Sequence, residues 1–153
     1  MNMERKNKST YSPLDQLNLN LIVGLYRSHA RINRSSQKLL AEFNLTVAQF
    51  GVLEALYHLG SMKIGDIIAK TLSTSGNMTV VIKNLEKDGW IQRYPDPGDG
   101  RICLIKLTEQ GAQLIATIFP EHLHDVETLL DNLRPEEKQQ LLKLLKKLNS
   151  IDD

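Results

Sequence analysis

The sequence predicts a mainly α-helical protein that contains a winged helix-turn-helix. Three observations support this prediction. Leu-rich stretches with helical spacing lie towards both ends of the chain, two short helices separated by a turn lie in the middle, and a β-hairpin follows them directly. The chain of 153 residues has the size of one ordinary domain, so we expect residues 1–153 to form a single domain.

The composition narrows the class of protein. With 41 % hydrophobic and 24 % charged residues the chain is typical of a globular protein, and its one cysteine, Cys103, excludes an internal disulfide. No apolar run approaches the roughly 20 residues of a membrane span, so we expect a cytoplasmic protein without a membrane partner. The net charge of +1 does not by itself indicate nucleic-acid binding, but residues 121–137 are acidic while the first residues are basic.

A flexible tail, residues 1–12, precedes the first predicted helix. This helix begins near Pro13, because a serine cap comes directly before the proline and an acid follows in the first turn. Its apolar stripe runs for about thirty residues. A capping box formed by Thr46 and Gln49 opens a second, short apolar helix, and Gly60 closes it.

Two short helices are predicted between residues 63 and 89. The turn between them is residues 72–74, and Thr74 or Ser75 caps the second helix. Four apolar residues at positions i, i+3, i+4 and i+7 predict the core face of that second helix: Met78, Val81, Ile82 and Leu85. The residues that lie largely on its other faces are Ser75, Asn77, Thr79, Val80, Lys83 and Asn84.

A β-hairpin and two further helices complete the predicted order of elements. Two extended runs, residues 90–94 and 101–107, flank a turn that is rich in proline and glycine. Thr108 caps the next helix, in which Pro120 is expected to produce a kink or a break. Pro135 begins the last helix.

The outer face of the second short helix has side chains suited to binding duplex DNA. An α-helix fits the major groove, where Asn77 can pair with adenine and Val80 can contact a thymine methyl group. Ser75 and Thr79 can hydrogen-bond bases or phosphates, and Lys83 can reach a phosphate. These five residues are therefore candidates for DNA contact.

A glycine and the tip of the hairpin add to this candidate interface. Gly76 lets backbone approach backbone closely, and the start of the helix offers N–H groups to a phosphate. Arg101 can enter a narrow minor groove, with Asp99 placed to orient its guanidinium group. The alternative is a solvated helix face and an ordinary exposed ion pair. The hairpin directly after the helix favours DNA binding.

Three motifs in this part of the chain resemble those of the MarR family of bacterial regulators. They are Leu85–Gly89 together with Arg93, Asp99–Arg101 in the hairpin, and Leu107–Gly111 after it. Their order and spacing match together, and the similarity extends over nearly the whole chain. The resemblance implies a recognition helix at about 75–88 and a wing at about 90–107, with Arg101 in the minor groove and Asp99 supporting the wing.

The same resemblance implies how the chain dimerises. In the family, the first helix and the last two form the dimer. Residues 13–44 and 108–150 would then be a helical dimerisation region built from the N- and C-terminal helices, and residues 46–107 the winged helix-turn-helix. This assignment accounts for a first helix that is longer than so small a domain can cover by itself.

The function that the resemblance implies is that of a sequence-specific transcriptional regulator. Its homodimer would bind a pseudo-palindromic operator in double-stranded DNA as a repressor. A small aromatic or phenolic ligand, or an oxidant, would release the repressor from the operator. The sequence does not distinguish repressor from activator. The alternative, which the near-neutral charge permits, is a winged-helix module that binds a ligand or a protein without affinity for DNA.

Other residues with reactive or metal-binding side chains favour structural explanations. Cys103 is a candidate redox residue, but its place in a β-strand favours the role of a small hydrophobic side chain. His122 and His124 diverge on a helix, so no metal site is expected, and His29 and His58 are expected to be packing or surface residues. Without a phosphate-binding loop, a nucleophile elbow or a paired-carboxylate site, we expect no cofactor and no enzymatic activity.

Overall fold

The computed structural model describes residues 11–71 and 75–150. The elements in these residues are α1 (Pro13–Ala41), α2 (Val47–Leu59), β1 (Met62–Lys63), α3 (Ile64–Thr71), α4 (Ser75–Lys87), β2 (Ile91–Pro95), β3 (Cys103–Leu107), α5 (Glu109–Leu129) and α6 (Pro135–Leu148). The predicted tail as far as residue 10, and the predicted turn at 72–74 with Thr74, lie outside the described residues. The boundary between two compact units falls within α1, between Ser35 and Ser36.

Helix α1 begins at Pro13, as predicted, because Ser12 caps it. The Ser12 hydroxyl accepts a hydrogen bond from the Asp15 backbone N–H at 3.1 Å and donates one to the Asp15 carboxylate at 2.7 Å. The helix ends at Ala41, a few residues before the predicted boundary at 44, and Asn44 then adopts a left-handed φ of 55°. Many of its large apolar side chains are exposed: Leu14, Leu17, Leu19, Leu21, Ile22, Val23, Tyr26 and Ile32.

The core of the second unit lies among α2, α3, α4, α5 and the sheet. Its largest fully buried side chains include Leu53, Ile67, Ile82, Leu85, Ile105 and Ile115. The predicted capping box of α2 is confirmed, since Gln49 N–H donates to the Thr46 hydroxyl at 3.1 Å and Thr46 N–H donates to the Gln49 side chain at 2.9 Å. Gly60 closes α2 with a φ of 81°, a conformation that glycine adopts without strain.

The described strands form an antiparallel sheet in the order β1-β3-β2. Ile105 of β3 lies opposite Met62 on one side and Arg93 on the other. The hairpin of β2 and β3 was predicted, whereas β1 was not. A strand of two residues is too short to show an alternating pattern, and it forms only because β3 offers its edge.

Helix α5 continues across Pro120, so of the kink or break expected there, the break is wrong. It begins after Thr108, whose hydroxyl accepts a hydrogen bond from Gly111 N–H at 3.0 Å, and it extends to Leu129. Proline at position 120 lacks the N–H that would bond to the carbonyl four residues earlier. Packing on both sides of the proline offsets this loss, because Ile118 is fully buried and the His122 ring packs on Phe50 at 4.9 Å. No helix in the described part of the chain is long and apolar enough to cross a membrane.

Candidate nucleic-acid interface

Helix α4 has a buried face and an exposed face, and both lie where the sequence predicts them. Met78, Ile82 and Leu85 are fully buried and Val81 is 7 % exposed, so the predicted core face is confirmed. The residues exposed on the rest of the helix are Gly76, Asn77, Thr79, Val80, Lys83, Asn84, Glu86 and Lys87. Ser75 is the first residue of the helix, and its side chain lies outside the described part of the structure.

Gly76 occupies an open position on α4. A Cβ atom at this residue would meet no atom of the described residues within 4 Å, its own helix backbone and chain neighbours aside. The protein's own packing therefore does not require glycine here, although glycine disfavours a helix relative to alanine by roughly 1 kcal/mol. Glycine at this position leaves the exposed side of α4 open to close approach from outside.

The tip of the hairpin is closed by hydrogen bonds among its own residues. One carboxylate oxygen of Asp96 accepts hydrogen bonds from the backbone N–H groups of Gly98 at 2.7 Å and Asp99 at 3.1 Å. The Asp96 N–H donates to the Ile102 carbonyl, and the Ile102 N–H donates to the Asp99 carbonyl, both at 2.9 Å. These bonds define the tip conformation, and they account for the aspartate at position 96.

Arg101 projects from this tip while Asp99 holds its guanidinium group. Asp99 Oδ1 accepts hydrogen bonds from Arg101 Nε at 3.0 Å and from the Arg101 backbone N–H at 3.1 Å, and Oδ2 accepts one from Nη2 at 3.1 Å. The Arg101 side chain is 91 % exposed. The hydrogen bonds from Arg101, with a smaller contribution from the charge of Lys63, hold the pKa of Asp99 below its ordinary value. Asp99 in turn raises the pKa of Arg101.

A second ion pair joins α4 to the hairpin. Arg93 Nε in β2 donates to Glu86 Oε2 in α4 at 3.1 Å. Both residues belong to the motif that the sequence analysis singled out, but sequence spacing alone did not pair them. The seven-residue separation crosses from a helix into a strand, so only the packing of α4 against β2 brings the two side chains together.

Cys103 lies in β3, as expected, and its exposure there does not support the role of a small hydrophobic side chain. It is the first residue of the strand and is exposed. Its thiol lies 3.9 Å from the Leu104 carbonyl oxygen, a weak hydrogen bond at most. Cys103 shares a face of the strand with the buried Ile105, but it lies at the end of β3 nearest the hairpin tip, opposite Pro95.

The histidines on α2 and α5 pack against aromatic rings. His122 is half-buried, with Nε2 3.9 Å from a Glu54 carboxylate oxygen. The exposed His58 packs its ring edge-on against Phe119, with centroids 4.8 Å apart. The two rings on α5 diverge as predicted, since His124 is exposed and His122 is not.

A cavity of about 720 Å³ lies between α2, the end of α3 and α4. Its lining combines small residues of α2 with polar ones and one side chain of α4: Ala48, Gly51, Ala55, Glu54, His58, Lys70 and Met78. Met78 belongs to the buried face of α4. A molecule bound in the cavity would therefore contact the side of α4 that supports its exposed face.

Comparisons of the sequence with known proteins agree with this architecture. The family model described as the MarR family matches residues 45–103. The HTH-type transcriptional regulator MhqR of Bacillus subtilis (strain 168) is 31 % identical over 135 residues, which cover 88 % of this chain and 93 % of MhqR. The uncharacterized HTH-type transcriptional regulator YkoM of the same strain is 36 % identical over 129 residues, covering 82 % and 84 % of the two chains.

Solved structures show the same fold. A mutant of MarR from E. coli, complexed with operator DNA, has a TM-score of 0.78 and 26 % identity, covering 90 % of this chain and 99 % of that one. BpsR from Bordetella bronchiseptica, whose DNA binding is regulated by 6-hydroxynicotinic acid, has a TM-score of 0.77 and 27 % identity, covering 85 % and 98 %. The chain therefore belongs to the MarR family of transcriptional regulators, which bind DNA and are not enzymes.

Proposed function

We propose that this protein is a homodimeric, sequence-specific repressor that binds a pseudo-palindromic operator in double-stranded DNA. The observation that carries the proposal is the contrast between the two sides of α4. Met78 and Ile82 are 0 % exposed, whereas Val80 on the other side is 57 % exposed. A valine on an otherwise polar exposed surface is suited to contact with a thymine methyl group in the major groove.

In the proposed complex, the recognition helix at about 75–88 enters the major groove. Ser75, Asn77 and Thr79 hydrogen-bond bases or phosphates, and Lys83 binds a phosphate. Gly76, with open space where a Cβ would stand, allows the start of the helix to approach the DNA backbone closely.

The wing at about 90–107 supplies the second contact, in the minor groove. The two hydrogen bonds that the Arg101 guanidinium donates to Asp99 orient the guanidinium before DNA binds. Hydrogen bonds within the hairpin tip hold the loop that carries Arg101. A pre-oriented arginine loses less conformational entropy on binding than a mobile one. Narrow, electronegative minor grooves favour arginine at such a position.

Exposed apolar surface supports the proposed homodimer. Within the first unit, Leu14, Leu17 and Leu21 of α1 are each more than half exposed at 64 %, 63 % and 56 %. Helix α6 in the second unit has its own exposed leucines: Leu141, Leu142, Leu144 and Leu148. Apolar patches of this kind mark interfaces in soluble proteins, which supports dimerisation through residues 13–44 and 108–150.

The proposed ligand is a small aromatic compound that binds the cavity between α2 and α4. The 720 Å³ of this cavity suits a molecule of that size, and its polar groups, Glu54, His58 and Lys70, can orient ring substituents. Regulation of the related BpsR by 6-hydroxynicotinic acid is in line with this ligand class. Binding against Met78 would favour a position of α4 that does not fit the operator, which releases the repressor.

Release by an oxidant is a second proposed route, supported by the exposure of Cys103. A thiol reacts with oxidants only where they can reach it. The Cys103→Ser variant would keep its DNA affinity and would no longer be released by peroxide, while release by phenolic compounds would persist. Unchanged release by peroxide would remove Cys103 from the regulation.

The experiment that tests DNA binding begins with selection of bound fragments from genomic DNA, followed by anisotropy measurements on a recovered duplex. Arg101→Ala should weaken binding and reduce the slope of log affinity against log salt by about 0.9 if Arg101 neutralises one phosphate. Arg134→Ala is the matched control, because Arg134 is also exposed and also bonded to a nearby acid, Glu137, at 3.1 Å.

The alternative is a winged-helix module that binds a ligand or a protein and has no affinity for DNA. A protein that selects no fragment at low salt, where electrostatic binding is strongest, would support this alternative and reject the repressor. Equal effects of Arg101→Ala and Arg134→Ala would leave DNA binding in place but exclude the wing from it.

A further inference from the structure

Helix α4 carries a negative charge on the face proposed to meet DNA. Glu86 is the only acidic residue in the sequence from Ser75 to Lys87. It follows Lys83 by three residues and Thr79 by seven, so the three side chains share one side of the helix, and all three are exposed. An unpaired carboxylate here would repel the phosphates that Lys83 attracts.

The structure shows what neutralises this charge. Arg93 Nε, from the middle of β2, lies 3.1 Å from Glu86 Oε2, and the two side chains are 41 % and 40 % exposed. The bond also joins the end of the recognition helix to a strand of the wing. Because the pair is exposed to solvent, it adds little to the stability of the fold. Its effect is therefore expected on the DNA-binding face.

We propose that Arg93 is a positioning residue for DNA binding: it neutralises Glu86 and holds the end of α4 against the wing. This inference rests on the proposed function. Arg93 acts through Glu86 and makes no phosphate contact of its own. DNA binding needs Arg93 because the Glu86 carboxylate is present. Once that carboxylate is removed, DNA binding should no longer depend on Arg93.

The test measures the affinity of the full chain for a fluorescein-labelled DNA duplex of mixed sequence. The duplex is about 30 base pairs long, so it can hold both halves of a dimer whose half-sites lie about one helical turn apart. Arg93→Gln should bind about three- to tenfold more weakly than wild type at low salt, because it exposes an unpaired carboxylate in each subunit. Arg93→Lys keeps the positive charge and should bind nearly as wild type. Glu86→Gln should bind at least as tightly as wild type.

The double variant Glu86→Gln/Arg93→Gln decides between the possible roles. Recovery of affinity to within about twofold of wild type supports the proposal, since a coupled pair is not additive. Asp88→Asn/Arg93→Gln is the matched control. This control removes the exposed carboxylate of Asp88, just after α4, which is not the carboxylate that Arg93 bonds. Its affinity for DNA should stay as low as that of Arg93→Gln.

Three results would overturn the inference. If the double variant binds DNA as weakly as Arg93→Gln, and the slope of log affinity against log salt falls by about 0.9 per contact, then Arg93 binds phosphate directly. A double variant that is weak and also unfolds at a lower temperature would mean a purely structural role. A wild-type protein that binds no duplex would reject the proposed function together with this inference, whereas the first two results leave the proposed function intact.

Discussion

The Thr108 hydroxyl donates a hydrogen bond of 2.6 Å to the carbonyl oxygen of Gly89, a residue 19 positions earlier in the chain. The Thr108 backbone N–H donates to the Trp90 carbonyl at 3.1 Å, and the same hydroxyl accepts from the Gly111 N–H. Gly89 itself has a φ of 80°. These bonds tie the residues that follow α4 to the residues that begin α5, across the whole wing.

The first prediction concerns this hydroxyl. Thr108→Val keeps the shape of the side chain but removes both of its hydrogen bonds, and it should lower the free energy of unfolding by about 1–2 kcal/mol. Thr108→Ser keeps both hydrogen bonds and should lower the free energy of unfolding by less. Urea unfolding monitored by the fluorescence of Trp90 measures both variants, and a larger loss in Thr108→Ser than in Thr108→Val would show that the methyl group matters more than the hydroxyl.

The second prediction concerns Gly111, which packs directly against the chain at Trp90. A Cβ at Gly111 would lie 2.0 Å from the Trp90 carbonyl oxygen, so the backbone would have to move. Gly111→Ala should destabilise the protein by roughly 1–3 kcal/mol despite the better helix propensity of alanine. Gly65→Ala is the control, because in the described part of the chain its Cβ would have open space beyond its own helix backbone and chain neighbours. It should leave the protein as stable or stabilise it by up to about 1 kcal/mol.

The third prediction separates stability from binding on α4. Ile82→Ala removes a fully buried side chain and should cost about 2–5 kcal/mol of unfolding free energy. Val80→Ala, on the exposed face, should change stability by less than about 0.5 kcal/mol and weaken operator binding. Thermal unfolding and anisotropy on the same samples test this. A large loss of stability in Val80→Ala would contradict the assignment of its face.

The fourth prediction is the pH behaviour of the wing tip. Because Arg101 lowers the pKa of Asp99, the ion pair is fully formed above the unfolded-state pKa and is lost as the pH falls through the lower folded-state pKa. Asp99 should therefore titrate below its ordinary range in a carboxyl-detected NMR titration. Arg101→Gln should move the midpoint upward, though not completely, because the Arg101 backbone bond to Asp99 also lowers the pKa. An unchanged midpoint would rule out the side-chain bond as its main cause.

The fifth prediction is the response of the oligomeric state to a charge on α1. Leu17→Asp places a carboxylate at a position that is 63 % exposed in the single chain and should shift the protein from dimer to monomer in sedimentation velocity. Arg27→Asp is the control on the same helix, away from the stripe of Leu14, Leu17 and Leu21. A dimer that persists in Leu17→Asp would move the interface elsewhere.

Local signals in the sequence were sufficient for the helices and for the orientation of α4. The caps at Ser12, Thr46 and Thr108 act within three residues, so a short window of sequence contains both partners of each bond. The core face of α4 follows from helical periodicity in the same way. The pairing of Asp99 with Arg101 was also predictable, because the two residues are close in the chain and belong to one turn.

The tertiary structure decided the features that depend on contacts between distant residues. Strand β1 exists only because β3 offers an edge, and α5 continues across Pro120 because residues packed on both sides hold it. The exposure of Cys103 depends on how far along β3 the core extends. The bond between Glu86 and Arg93 and the close approach of Gly111 to Trp90 depend on how helices pack against the hairpin. In each case the deciding energy comes from packing, which no local pattern of residues contains.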